Sequence, residues 1–173
     1  NRLCTLVLPD VHGKMVALTE TENALATVYI LLAPECPICI QSTPALNKLA
    51  EQYGQKNIRF YGVFAGTLYT QQELAMFEKR YQTTFPLLMD TAYVATDILQ
   101  GNVTPQAFIT NAAGKVLYKG AIDNAWVALG RRSVHITRHY VAETLDALLN
   151  KQPVPESNTR AIGCLLERPK RMK

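Results

Sequence analysis

Apolar residues recur along this chain in two spacings, which predict strands alternating with helices. Residues 25–32 (Leu-Ala-Thr-Val-Tyr-Ile-Leu-Leu) are almost continuously apolar, a pattern typical of a central strand that is buried on both faces. Pro34 ends this run, and from Cys36 the apolar positions take a helical spacing as far as Gly54, a residue suited to the C′ position of a helix. Because Pro44 lies inside this predicted helix, we expect a kink there.

The rest of the chain predicts further elements of both kinds. Two apolar runs at residues 3–8 and 14–18 flank a turn and predict an N-terminal hairpin. Further strands are predicted at residues 58–65, 87–89, 106–110 and 115–119. Helices are predicted at residues 70–81 and 93–99, and a last one is expected to start at Thr137 as N-cap and to end at Asn150. The early alternation of strands and helices predicts an α/β fold with a mixed sheet between helices.

Length and composition fit one hydrophobic core. The chain has 173 residues, of which 48% are hydrophobic, so we expect a single globular domain at residues 1–150. The tail at residues 151–173 should pack back on this domain, because Ile162, Leu165 and Leu166 would otherwise leave an apolar cluster in water. No apolar run reaches the length of a membrane span, so no integral membrane segment is predicted.

The charge balance argues against a nucleic-acid partner. Eighteen Lys and Arg residues against 14 Asp and Glu residues give a net charge of +4. Part of this mild excess lies at the very end of the chain, and no recognisable nucleic-acid-binding motif accompanies it. We therefore expect no nucleic-acid binding.

The sequence Cys36-Pro37-Ile38-Cys39 carries the clearest chemistry. It follows the buried strand and opens the helix, where unpaired backbone N–H groups and the helix dipole favour a thiolate at Cys36. Cys39, one turn later, is close enough to form a disulfide with Cys36 and to release a mixed disulfide. A structural disulfide and half of a zinc site are the alternatives, but no second cysteine pair supplies the remaining zinc ligands. We predict no metal and no other cofactor.

Several motifs in order resemble the thioredoxin superfamily, in its extracytoplasmic TlpA/ResA-like and AhpC/TSA redoxin branch. Residues 6–14 look like the N-terminal hairpin of that branch, and the Cys36 to Cys39 segment matches its redox motif. Pro44 matches the kinked active-site helix, and Val103-Thr104-Pro105 looks like the cis-proline segment that faces the disulfide. The resemblance covers about residues 3–150.

The resemblance implies both a fold and an activity. The fold is a thioredoxin-like three-layer α/β/α sandwich with an N-terminal β-hairpin and a central insertion near residues 66–103. The activity is that of a thiol:disulfide oxidoreductase, in which Cys36 and Cys39 are catalytic and Thr104 and Pro105 contact the substrate segment. Expected partners are protein thiols or disulfides and a membrane or soluble redox partner.

The resemblance also implies a location outside the cytoplasm. We expect a periplasmic or otherwise extracytoplasmic protein, with an anchoring segment beyond residues 1–173 as one option. The chain begins at Asn1 without a Met or a leader pattern, so either a targeting segment has been removed or the chain has been trimmed.

Three positions depart from the family patterns. Glu35 stands where the family commonly has Trp, and a carboxylate beside Cys36 should raise the pKa of that thiol. Ile30 takes the place of a buried carboxylate that thioredoxins use as a proton acceptor, a role that Glu35 could take over. Ala33 takes the place of the Thr that peroxiredoxins use to contact hydroperoxide, which weakens the alternative of a peroxiredoxin-like thiol peroxidase.

Cys4 and Cys164 leave three alternatives open. They could form a disulfide that ties the two ends of the chain together, Cys164 could be a third redox thiol, or both could be unpaired buried cysteines. Cys164 follows Gly163, and similar tails that end in a Gly-Cys element occur in some secreted redoxin-like proteins.

A copper carrier similar to the SCO proteins is the alternative from another functional class. It would use Cys36 and Cys39 with His135 or His139, although SCO proteins have three residues between their cysteines rather than two. The simpler interpretation is that the two histidines belong to a basic rim with Arg131 and Arg132.

Overall fold

The computed structural model describes residues 3–18 and 23–168 and divides them into strands and helices. A short 3₁₀ turn at Leu3–Thr5 comes first. The elements that follow in chain order are β1 (Val7–Pro9), β2 (Met15–Ala17), β3 (Ala26–Leu32), α1 (Pro37–Gly54), β4 (Ile58–Ala65), α2 (Gln71–Tyr81), β5 (Leu87–Asp90), α3 (Val94–Leu99), β6 (Val103–Thr104), β7 (Gln106–Asn111), β8 (Val116–Gly120), β9 (Trp126–Ala128), β10 (Arg131–Arg132), α4 (Tyr140–Leu149) and β11 (Cys164–Leu165).

A five-stranded mixed sheet forms the centre of the molecule. Its strands lie in the order β5-β4-β3-β7-β8. β3, β4 and β5 run parallel, whereas β7 is antiparallel to β3 and β8 is antiparallel to β7. All seven residues of β3 are buried, as its unbroken apolar run predicts for the central strand.

Two apolar clusters cover the two faces of this sheet. Ile30 of β3 faces one cluster, which includes Leu46 of α1 and Leu145 of α4. The next residue, Leu31, faces the other cluster, which includes Leu99 of α3 and Leu8 of the N-terminal hairpin. Because neighbouring residues of a strand point to opposite faces, one continuous apolar run supplies both clusters. The predicted α/β fold is confirmed: it is a thioredoxin-like arrangement with helices on both sides of a mixed sheet.

Most predicted elements are present, with corrections at the ends. The N-terminal hairpin forms between β1 and β2, but Leu3–Thr5 is a 3₁₀ turn rather than strand. Gly54 is the last residue of α1 instead of its C′ residue, and Gln55 caps the helix with a right-handed backbone. The region of the expected insertion, residues 66–103, supplies α2, β5, α3 and the start of β6.

The predicted N-cap of the last helix is wrong. The N-cap is His139, and α4 begins at Tyr140. Thr137 is held in the preceding loop by Asn124, whose side chain donates to the Thr137 hydroxyl at 2.9 Å and accepts from the Thr137 N–H at 3.0 Å. At the true helix start, the Glu143 carboxylate accepts from the His139 N–H at 2.9 Å.

Four short strands, β6, β9, β10 and β11, were not predicted from the sequence. β9 and β10 form a small hairpin between β8 and α4. β11 pairs antiparallel with β6, with Cys164 opposite Thr104. Just before β11, Thr159 joins the end of β8, where its N–H donates to the Lys119 carbonyl at 3.0 Å. The segment after α4 therefore runs along the sheet edge toward the start of α1.

None of the helices in residues 3–18 and 23–168 combines the length and the apolar character that crossing a membrane requires.

Candidate functional site

Cys36 and Cys39 lie where a buried strand gives way to a helix. β3 ends at Leu32, the Cys36 N–H donates to the Ala33 carbonyl at 3.2 Å in the connecting turn, and Cys36 is the N-cap of α1. Pro37 occupies the first helical position, where the missing N–H costs no helical hydrogen bond. Cys36 is 3% exposed and Cys39 is fully buried. The two thiols therefore both lie beneath the surface.

The surroundings of Cys36 favour its thiolate. Its pKa falls from 9.0 to about 5, chiefly because the Cys39 thiol donates a hydrogen bond to it. The Cys164 thiol and the backbone N–H groups of Cys39 and Cys164 lower the pKa further, while burial opposes them. Burial and donation to Cys36 raise the pKa of Cys39 well above its ordinary value. At neutral pH the site therefore holds one thiolate, at Cys36, and a protonated neighbour.

Thr104 and Pro105 lie beside this thiolate. The peptide bond between them is cis, as predicted, and the Thr104 carbonyl oxygen is 3.2 Å from Cys36 Sγ, where it accepts from the thiol when Cys36 is protonated. The end of β6 therefore contacts the start of α1.

Thr104 and Pro105, which were predicted to contact a substrate, are covered by the chain itself. Both residues are buried, because β11 covers them. Cys164 pairs with Thr104 across the antiparallel ladder, and the Thr104 hydroxyl donates to the Cys164 carbonyl at 3.4 Å. In this arrangement the chain's own C-terminal segment takes the strand position that the sequence analysis assigned to a substrate.

Cys164 contacts Cys36 and not Cys4. Cys164 Sγ is 2.7 Å from Cys36 Sγ and donates to it, whereas the Cys4 thiol lies near the Ala112 carbonyl, at 3.9 Å. The disulfide between Cys4 and Cys164 is absent, and that alternative is wrong. The sheet separates the two residues: Leu3, beside Cys4, belongs to the cluster on one face, and Cys164 packs against the cluster on the other.

Glu35 does not act on Cys36 as expected. Its side chain is exposed and accepts a hydrogen bond from the Tyr69 hydroxyl, whose pKa rises through burial and through this carboxylate. The pKa of Cys36 is lowered, and Glu35 is not among the groups that shift it, so the expected rise is not seen. Adjacency in sequence did not place the carboxylate against the thiol.

A cleft of about 650 Å³ opens beside the cysteines. Cys36 and Cys164 lie in one wall, and Phe64, Tyr69 and Leu165 contribute apolar surface. Of these two cysteines, Cys164 is partly exposed and Cys36 is buried, so Cys164 is the more accessible from the cleft.

The histidines of the copper alternative are not part of a metal site. His135 and His139 are both exposed on the loop before α4. Within residues 3–18 and 23–168, no three His, Cys, Asp or Glu side chains are placed to hold a metal ion.

Sequence reasoning placed Cys36, Cys39 and Thr104 together but did not find what covers them. The covering residues are Gly163, Cys164 and Leu165, which approach Cys36 across more than a hundred positions of the chain. The local signals were the apolar residues Ile162, Leu165 and Leu166, which predict a packed tail but not its position, and the Gly-Cys pair, because glycine permits a close approach of two backbones.

One family of known proteins matches the chain over more than half of its length. Residues 2–119 match the model of the AhpC/TSA family. No protein with curated annotation matches the chain.

Solved structures share the fold at low sequence identity. An uncharacterized conserved protein of Geobacillus kaustophilus has a TM-score of 0.87 at 24% identity, over 96% of this chain and 90% of its own. A hypothetical protein of Sinorhizobium meliloti has a TM-score of 0.82 at 23% identity, over 92% and 88%. A secreted disulfide oxidoreductase of Mycobacterium tuberculosis, described as homologous to E. coli DsbE, has a TM-score of 0.58 at 17% identity, over 67% and 83%.

Proposed function

The chain belongs to the AhpC/TSA family, and from this premise we propose that it is a thiol:disulfide oxidoreductase that acts on protein thiols or disulfides through Cys36 and Cys39. The observation that carries the proposal is the asymmetry between the two thiols. Cys36, at the N-terminus of α1, is stabilised as a thiolate, while Cys39 keeps its proton. This asymmetry makes Cys36 the nucleophile at neutral pH and leaves Cys39 as a protonated thiol for the second step.

The exchange conserves electrons in two steps. The Cys36 thiolate attacks one sulfur of a substrate disulfide, so a bond forms between Cys36 and the substrate and the other substrate sulfur leaves as a thiolate. Cys39 then loses its proton and attacks Cys36 Sγ, which closes a Cys36–Cys39 disulfide and releases the second substrate thiol. The substrate gains two electrons and the cysteine pair loses them. With a dithiol substrate, the same steps run in reverse.

The environment of Cys39 helps the second step. In the reduced chain, donation to Cys36 and the charge of the Cys36 thiolate both raise the pKa of Cys39. Once Cys36 is bound to the substrate, that charge is gone and both contributions weaken. The pKa of Cys39 therefore falls at the stage when Cys39 has to attack.

Protein thiols and disulfides are the proposed substrates. The cleft beside Cys36 and Cys164 is large enough to admit a polypeptide side chain, and its apolar wall suits one. The secreted oxidoreductase of M. tuberculosis shares the fold, which supports an extracytoplasmic location. A membrane or soluble redox partner remains part of the proposal, because the cysteine pair has to be returned to its starting state after each exchange. The thiol peroxidase alternative receives no comparable support, because Ala33 offers no hydroxyl to a hydroperoxide.

Turnover of a protein disulfide tests the proposal. The full chain is assayed for reduction of insulin by dithiothreitol, with Cys36→Ser as the test variant and Cys4→Ala as the matched control. We expect loss of turnover in C36S, no loss in C4A, and a Cys36–Cys39 disulfide in peptide maps of the oxidised wild type. A wild-type chain without turnover, or a C36S variant that keeps it, would sink the proposal.

A further inference from the structure

Three sulfurs meet at the start of α1, not two. Cys164 Sγ is 2.7 Å from Cys36 Sγ, and a disulfide bond is about 2.05 Å long, so a covalent bond between them needs about 0.7 Å of approach. Cys36 is also the acceptor of the Cys39 thiol. Cys36 can therefore exchange partners between Cys39 on one side and Cys164 on the other.

Of these three cysteines, Cys164 is the most exposed. Cys36 is 3% exposed and Cys39 is fully buried, while Cys164 is partly exposed and lines the cleft. Cys36 also lines the cleft, but a substrate sulfur that enters the cleft meets the more exposed Cys164 first.

Hydrogen bonds and an ion pair hold the segment around Cys164 in place, both before and after that residue. Before it, the Thr159 hydroxyl accepts from the Ala121 N–H at 3.0 Å and lies 2.5 Å from the Tyr118 hydroxyl. After it, the Tyr93 hydroxyl donates to the Glu167 carbonyl at 3.1 Å, and Arg168 pairs with Asp97. These contacts, together with the β6–β11 ladder, favour a segment that stays docked during the reaction.

We propose that Cys164 is a third redox-active cysteine and that protein thiols and disulfides exchange with this chain at Cys164, on a strand that mimics a bound substrate. The segment pairs with β6 as an added substrate strand would and presents its cysteine to Cys36. This inference rests on the proposed function, because Cys36 and Cys39 remain the pair that stores the disulfide. It differs in one step: the substrate bonds to Cys164 and not directly to Cys36.

The internal step is an exchange without net oxidation. Starting from the Cys36–Cys39 disulfide, the Cys164 thiolate attacks Cys36 Sγ. A Cys36–Cys164 bond forms and the Cys36–Cys39 bond breaks. Cys39 leaves as a thiolate and takes up the proton that Cys164 has lost, so no outside oxidant or reductant is needed.

The external step transfers two electrons from a protein dithiol. A substrate thiolate attacks Cys164 Sγ, a bond forms between them, and Cys36 leaves as a thiolate. The second substrate thiol then attacks the first substrate sulfur, which closes the substrate disulfide and returns Cys164 to the thiol. A disulfide substrate is reduced by the same steps in reverse.

The chemistry of the two sulfurs favours attack at Cys164. In an exchange the thiol with the lower pKa leaves faster. When Cys36 leaves a Cys36–Cys164 disulfide, the Cys39 thiol, which lowers the pKa of Cys36 most in the reduced chain, can donate to it, whereas burial, the main cause of the raised pKa of Cys164, remains. Cys36 is thus the better leaving group of a Cys36–Cys164 disulfide. The greater exposure of Cys164 and the better leaving group at Cys36 both favour attack at Cys164.

Trapping locates the sulfur that a substrate attacks. The full-length Cys39→Ser variant is oxidised and mixed with a synthetic peptide that carries one cysteine, then quenched with acid and N-ethylmaleimide and mapped by mass spectrometry. We expect a Cys36–Cys164 disulfide before mixing and the peptide on Cys164 afterwards. No Cys36–Cys164 disulfide, or the peptide on Cys36, would overturn the inference.

Steady-state turnover supplies a second readout. We expect Cys164→Ser to lower insulin reduction about tenfold or more while its unfolding midpoint stays close to that of the wild type, and Cys4→Ala to leave the rate unchanged. An unchanged or faster rate in C164S would mean that the segment is only a cover, and the inference would fall. If turnover still depends on Cys36 in that case, the proposed function stands; if the wild type shows no turnover, the proposed function fails instead.

Discussion

Gly163 crosses the backbone of Thr104 so closely that a Cβ on Gly163 would lie 2.1 Å from the Thr104 carbonyl oxygen. Real Cβ atoms do not come that close to backbone oxygens, so this crossing requires glycine. Because the next residue is Cys164, the absence of one carbon atom at Gly163 allows a thiol from the end of the chain to reach Cys36.

Replacement of this glycine should therefore loosen the C-terminal segment. We expect Gly163→Ala to lower the free energy of unfolding by about 1 to 3 kcal/mol or to undock the segment, because the backbone has to shift. Undocking would show as faster tryptic cleavage after Arg160 and faster alkylation of Cys36. Urea unfolding and timed proteolysis measure the two effects.

Gly54 gives the matched control for that substitution. It ends α1, has nothing within 4 Å of an added Cβ, and needs no left-handed backbone. Gly54→Ala should leave proteolysis at Arg160 unchanged and raise stability by about 0.4 to 1 kcal/mol. Equal effects at Gly54 and Gly163 would contradict the argument from the close crossing.

A second prediction concerns the thiolate of Cys36. Its donors include the Cys39 thiol, which lowers its pKa most, and the Cys164 thiol, which contributes less. Because each donor favours the charged form, we expect the pKa of Cys36 to rise in Cys164→Ala and to rise further in Cys39→Ala. The rate of iodoacetamide alkylation as a function of pH, with mass mapping of the Cys36 peptide, gives these values. A pKa near 9 in the wild type, or the opposite order of the variants, would refute the assignment.

The parts of the site that sequence could predict are those that depend on local pattern. The buried run of β3, the helix after it and the Cys36 to Cys39 spacing are all encoded within about thirty neighbouring residues. The order of the family motifs also predicted that Thr104 lies near Cys36, and the two residues are in contact.

The cover over the site depends on contacts between distant positions, which periodicity does not encode. β11 has two residues, too few for any alternation to be visible. Its path depends on single contacts, such as Gly120, where a Cβ would lie 2.6 Å from the Thr159 carbonyl oxygen. In the same way, Asn124 holds Thr137 out of the helix start from 13 positions away.

A third prediction tests how α1 is held at the end away from its cysteines. Tyr53 is buried in α1, and its hydroxyl donates to Asp146 Oδ1 of α4 at 2.7 Å. Tyr53→Phe should lower the free energy of unfolding by about 0.5 to 1.5 kcal/mol while leaving the pKa of Cys36 unchanged. A double-mutant cycle with Asp146→Ala isolates the pair, and additive effects would show that the hydrogen bond contributes nothing.

The last prediction is a dependence of stability on pH in the reduced chain. The pKa of Cys36 is about 5 in the folded state, against an ordinary 9.0, so between these values the unfolded chain binds a proton at Cys36 that the folded chain does not. Stability from Cys36 is therefore fully present above pH 9 and is lost as the pH falls toward 5, with a slope of at most about 1.4 kcal/mol per pH unit.

Comparison with Cys36→Ser separates this effect from the other titrating groups. The raised pKa values of Cys39 and Cys164 change stability only above pH 9, and shifts elsewhere, such as that of His12, are common to both proteins. With a phosphine reductant present, urea unfolding from pH 5.5 to 8 should show a stability difference between wild type and C36S that grows in favour of the wild type as the pH rises. A difference that stays constant over this range would mean that Cys36 keeps its proton in the folded chain, because a thiol with an ordinary pKa does not titrate there.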